Sequence, residues 1–275
     1  MAHVLLLTSD LASIVNAHAE VARRLRADGH EVTHLRTGHE VPDLAGRGWT
    51  LRAGASPSRG TGAATRSAAI DRLGLEAHRT ALLDRAPDLV LVDIELHEQV
   101  AVALTLGVPV AATSTWIAPG RVRGLPPLDR PDPLPSDLRG VLTTELTWLR
   151  RRVTAQRPRL LAIARSRGAD RQSVLHAFTR RHGADLRSLA TTDAWLRPWG
   201  YDGLRTLVLG PTQLDLRADP SVTYVGPMVG PVDRVPLPAS VAAGVERHRL
   251  GPGAGPLVYC SFGSFVASYD EALLG

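Results

Sequence analysis

The chain has 275 residues, enough for one large domain or two small ones at roughly 150 residues each. Hydrophobic residues make up 44%, which excludes a disordered chain, and aromatics are only 4%, so the core is built from Ala, Leu and Val. All 32 basic residues are Arg against 27 acids, a net charge of +5 that reads as ordinary solvated surface; the single cysteine, Cys260, excludes a disulfide scaffold and a Cys-based zinc site.

In chain order, His3–Thr8 is a continuous apolar run, the pattern of a strand buried on both faces. Residues 13–28 carry Ile14, Ala17, Val21, Ala22 and Leu25 at helical spacing, and Gly29 closes that helix. Glu31–Leu35 is a second strand, which completes a βαβ opening. Residues 40–65 have loop composition, and 66–85 read as one helix. Pro87–Asp93 is the clearest buried strand, followed by a helix over 95–106 closed at Gly107 and a strand over 108–112. Alternating strands and helices predict an α/β fold with a doubly wound, Rossmann-like parallel sheet.

A proline-rich loop over 118–138 leads into 140–190, mostly helical and rich in Arg. Arg150–Arg152 is its densest cluster, and since no aromatics are interleaved, the stretch 150–167 reads as a solvated helix face and not as a nucleic-acid or membrane surface. Short strands follow at 206–209 and 222–225. Residues 227–256 have linker composition with one short helix at 239–248. Pro256–Phe262 is a fresh strand, Gly263 and Ser264 a turn, and Tyr269–Leu274 the start of a helix. One strand and one helical turn cannot bury a core alone, so the expectation is a second domain of which only the opening is present. No run approaches 18 apolar residues, and Met1–Asp10 has no basic region preceding an apolar one; a cytoplasmic protein without a membrane span is expected. His30, His34 and His39 lack metal-ligand spacing, and no metal is expected.

Three groups of residues resemble the nucleotide-sugar glycosyltransferases of the GT-B fold, the family of antibiotic, macrolide and plant natural-product enzymes. The first is Val4-Leu-Leu-Leu-Thr8 with Val15-Asn16, Ala22-Arg-Arg-Leu25 and Gly29-His-Glu-Val32. The second is Pro87–Asp93 with Ala101–Pro109, and the third is Tyr224-Val-Gly-Pro227 with Pro256–Ser264. The resemblance implies an acceptor-binding domain over 1–228, an interdomain linker over 229–255, and over 256–275 the start of a donor domain. It implies no cofactor: a nucleotide sugar is co-substrate, and a lipophilic small molecule with a hydroxyl is the acceptor. The implied reaction is an inverting transfer assisted by a general base, with a donor-domain partner chain as one way to complete the half shown here.

The family's base is a His at the start of the first helix, oriented by an Asp that matches Asp93. Asp93 also reads as a helix N-cap. The position of the His falls on Ile14, which cannot accept a proton, and the neighbouring family residues are replaced by Ala12, Ser13 and Ala17. His18, four residues on and about one turn along the same helix face, is the candidate replacement base. Asp10, Ile14, Thr115 and Trp116 are candidate acceptor contacts, and Gly263 and Ser264 candidate donor contacts. The alternative is a non-catalytic, truncated or degenerate acceptor-binding domain, or a partner subunit.

Overall fold

Six short strands, all parallel, form one sheet in the order β2-β1-β3-β4-β5-β6. The computed structural model describes residues 1–9, 11–36, 63–115, 121, 124–127, 137–191, 200–214, 220–228 and 239–250. The elements are β1 (His3–Thr8), α1 (Ala12–Ala27), β2 (Glu31–Arg36), α2 (Arg66–Arg72), α3 (Leu75–Leu83), β3 (Leu89–Asp93), α4 (His97–Ala103) and β4 (Val110–Ser114). They continue with α5 (Leu138–Ser166), α6 (Arg171–Arg181), α7 (Leu186–Leu189), β5 (Thr206–Val208), β6 (Val222–Tyr224) and α8 (Ala239–Leu250).

The apolar run of β1 works because successive side chains point to opposite faces of the sheet. Leu5 and Leu7 join one core cluster with Val90 and Val92 of β3; Val4 and Leu6 join another with Leu91 and Ala111. Helix α1 covers the second face through Val21, Ala22 and Leu25. Residues of α2, α3, α4 and α6 cover the first, including Ile70, Leu82, Val100, Leu175 and Phe178. Helices therefore lie on both faces, the doubly wound arrangement that the alternating pattern predicts.

Gly29, at φ +84°, ends the first helix as read, while Asp28 is its C-cap. The single helix expected over 66–85 is instead two. Thr65 caps α2, its Oγ1 accepting from the Ala68 amide at 3.2 Å. Gly74 then adopts the left-handed conformation, φ +63° and ψ 25°, and becomes the N-cap of α3. A Cβ at Gly74 would meet nothing within 4 Å, so its cost is conformational alone. Gly74→Ala is expected to lower stability by about 1 kcal/mol in urea unfolding, with Gly74→Asn recovering part of it, since Asn tolerates this region better. Helix 95–106 is likewise shorter, His97–Ala103, and a turn over Leu104–Leu106 completes it.

The switch from leftward to rightward winding falls between β1 and β3. The chain leaves β1 for β2 on one side, then returns to place β3 on the other. The crevice at the carboxyl ends of β1 and β3 is where such sheets bind ligands. No described helix is long and apolar enough to cross a membrane. The strand at 256–262, the Gly263–Ser264 turn and the helix start at 269–274 lie outside the described residues, as do 40–62 of the expected loop.

Candidate functional site

Four polar residues converge on that switch point. Ser9 follows β1 directly, Asp93 ends β3, and Thr113 lies beside Asp93 in the register of β3 and β4. His18 reaches them from α1. All four are buried in an otherwise apolar layer.

The hydrogen bonds of His18 define its protonation. Nδ1 lies 2.8 Å from the carbonyl oxygen of Ile14, which can only accept, so Nδ1 carries the proton. Nε2 lies 2.6 Å from Thr113 Oγ1. Burial lowers the pKa of His18, outweighing the Ile14 carbonyl and the charge of Asp93, so the ring is neutral and Nε2 accepts from the Thr113 hydroxyl. Burial pushes Asp93 the opposite way, to a raised pKa, partly countered by the Glu95 amide, the His18 ring and nearby Ser9. Each group favours the other's charge, and the dry surroundings disfavour both.

Asp93 Oδ1 accepts from the Glu95 amide at 3.1 Å. The expected N-cap role is corrected here: α4 begins at His97 with Leu96 as its cap, and Asp93 closes the turn before it. Among the described residues, Asp93 Oδ2 and Ser9 Oγ meet no partner at full hydrogen-bond geometry, although Ser9 lies close enough to Asp93 to favour its charged form. Two buried polar atoms at a sheet switch point form a place where a ligand hydroxyl can be held. A second layer supports this one: His34 Nε2 lies 2.9 Å from Thr8 Oγ1, and burial with the nearby His18 pushes the His34 pKa down to about 4.

Of the residues expected in the site, Asp93 and His18 come together. Ile14 is buried one turn from His18 and supplies its carbonyl, and Thr115 is half-buried just past β4. Asp10, Trp116, Gly263 and Ser264 lie outside the described residues. Ser9 was not singled out from the sequence; its signal is its place as the first residue after a buried parallel strand. The role of Thr113 depends on a contact 95 positions away and has no local signal. Among the described residues no group of three or more His, Cys, Asp or Glu side chains could hold a metal ion.

No protein-family model matches the chain, and no curated protein matches it. Among solved structures it is similar to the glycotransferase of kitacinnamycin, with a TM-score of 0.47 and 18% identity over 86% of this chain and 54% of that one. It is similar to Arabidopsis thaliana UGT89C1 complexed with UDP, with a TM-score of 0.42 and 16% identity over 96% of this chain and 59% of that one. It is also similar to SsfS6, a Streptomyces sp. SF2575 glycosyltransferase, with a TM-score of 0.39 and 15% identity over 81% of this chain and 53% of that one. The chain spans about half the length of these structures. The resemblance read in the sequence is to the same class of enzyme.

Proposed function

We propose that this chain is the acceptor-binding half of a nucleotide-sugar glycosyltransferase that moves a sugar, of hexose type, to a hydroxyl of a lipophilic natural product. The observation that carries the proposal is the meeting of His18, Asp93, Ser9 and Thr113 at the switch point of the sheet. A donor domain, in the same polypeptide or in a partner chain, supplies the nucleotide-sugar contacts.

In this reading the acceptor hydroxyl takes the place of the Thr113 hydroxyl at His18 Nε2. The acceptor proton passes to Nε2 as its oxygen bonds to the anomeric carbon from the face opposite the leaving nucleoside diphosphate. The bond to the diphosphate breaks, the electron pair leaves with it, and the anomeric configuration inverts. Nδ1–H stays on the Ile14 carbonyl, which holds the ring in the right tautomer. The Asp93 carboxylate stabilises the imidazolium that forms, and Ser9 Oγ with Asp93 Oδ2 holds a second polar group of the acceptor.

A second reading is a domain that binds the acceptor without catalysis. It is favoured by the complete burial of His18, with both ring nitrogens engaged, and by Ile14 at the position of the family's base.

The test is sugar transfer by the full-length native protein, read by mass spectrometry with a panel of nucleotide sugars and hydroxylated lipophilic acceptors. His18→Ala and Asp93→Asn are each expected to lower the rate by roughly 10²–10⁴-fold while acceptor binding persists. Unchanged rates in both variants remove the pair from the chemistry. Acceptor binding without transfer in the unsubstituted protein selects the second reading.

A further inference from the structure

Helix α5 is 29 residues long and seated on one side only. Thr144 and Trp148 are buried, and the Trp148 indole donates to the Leu125 carbonyl at 2.7 Å. On the opposite side Leu142, Leu146, Leu149, Val153 and Leu160 are 52–63% exposed. The first four are spaced by four, three and four residues, and Leu160 returns seven after Val153, with Gln156 filling the step between. That is the alternating spacing of a coiled-coil seam, sustained over about three heptads. At about 100° per residue the five side chains fall within a band narrower than 90°. The Arg-rich stretch is exposed, as the solvated-face reading expects, and its arginines border an exposed apolar stripe.

The charges beside the stripe say what fits it. The helix holds seven Arg and one Glu, and that Glu, Glu145, is already ion-paired to Arg121. Arg150 and Arg157 flank the seam on one edge, and Arg152 on the other; all three are exposed. A second copy of this chain fits poorly. Parallel pairing would set Arg152 of one copy against Arg157 of the other, and antiparallel pairing would set the Arg150–Arg157 edges together. Leu138 and Leu161, also exposed on this helix, widen the apolar face beyond the seam, so a lipid surface is the competing occupant; the heptad spacing of the seam and the arginines along its edges favour a helix.

We propose that the outer face of α5 is a docking site for an acidic amphipathic helix of a partner protein, with apolar residues at heptad spacing and carboxylates flanking them. Leucines would interlock with the seam, and the flanking carboxylates would pair with Arg150 and Arg157, which sets partner choice and orientation. The proposal is independent of the reading of the switch-point site.

The test uses the full chain and a synthetic four-heptad peptide with Leu and Ile on its seam and Glu on both flanks. A control peptide carries Lys on the flanks. Fluorescence anisotropy is expected to give binding of the Glu peptide at least about 10-fold tighter than of the Lys peptide, weakening with added salt. Leu146→Glu with Leu149→Glu should abolish it; both side chains are exposed, so the core is untouched. Arg150→Glu with Arg157→Glu should reverse the peptide preference, a result that misfolding cannot mimic. Equal binding of the two peptides, or binding of neither, overturns the proposal. So does self-association in sedimentation that Leu149→Glu dissolves, or co-sedimentation with phosphatidylserine vesicles that the same change abolishes.

Discussion

Arg171→Met is expected to destabilise the fold by about 3–5 kcal/mol, because it leaves the Glu98 carboxylate buried without its partner. Glu98 lies on α4, whose seven residues are all buried, and Arg171 opens α6. The two side chains are 10% and 7% exposed and meet through both carboxylate oxygens. Tyr201, itself buried and bonded through its hydroxyl to His97 Nδ1 at 2.7 Å, has its pKa raised by burial and by Glu98, so it stays neutral beside the pair and supplies no counter-charge. Glu98→Gln alone should cost a comparable amount by stranding the guanidinium. The double variant Glu98→Leu/Arg171→Met should regain most of the loss, since exchanging a whole buried pair for apolar residues is often neutral. Urea unfolding of the three variants decides it. A loss under 1 kcal/mol for Arg171→Met would mean that the pair is solvated in the folded chain.

Acidification is expected to weaken the fold well before carboxylates titrate. His78 is 2% exposed, and burial pushes its pKa down to about 4. A histidine depressed in the folded state adds stability that is full above the unfolded pKa, near 6.5, and is lost as pH falls toward 4. At pH 5 this single residue costs about 2 kcal/mol by linkage. His34, lowered to about 4, and His18, lowered by burial, act in the same direction, while the raised pKa of Asp93 works against them. The urea midpoint should therefore drop steeply from pH 7 to pH 5. His78→Leu should flatten the slope; an unchanged slope would assign the acid sensitivity to other groups.

The parts of the fold that were legible share one property: their signal is local. β1 and β3 are unbroken apolar runs because parallel strands are buried on both faces, and Leu5 and Leu6 serve two different core layers. The break between α2 and α3 escaped because the apolar spacing carries across Gly74, and only the backbone conformation marks the stop. The site was legible in part. Asp93 follows from its place at the end of a buried strand, and His18 from the four-residue spacing after Ile14 on a helix. That His18 would be sealed, and bonded to Thr113, depends on the packing of α1 across β4, which no window of sequence encodes. The exposed apolar stripe on α5 was not read from the sequence, for a related reason. Periodicity finds an apolar face but does not say whether the protein's own body or something else covers it.

The route from β4 to β5 has a kinetic consequence. The two strands are adjacent and paired, Ser114 against Val208, yet the long α5, α6 and α7 lie between them in the chain. β1 and β3 close over a stretch nearly as long, so ring-closure entropy separates the two closures by only about 0.1 kcal/mol; what sets β5 apart is that β1 with β2 and β3 with β4 pair across much shorter stretches, whereas β5 follows three helices. The strands β1 to β4 with α1 to α4 are thus the expected early nucleus, and β5 with β6 a late arrival that completes the sheet. Until it arrives, β4 is an open edge. Nascent chains released before residue 206 would expose it, and the cell's chaperones would meet this protein as a half-finished sheet.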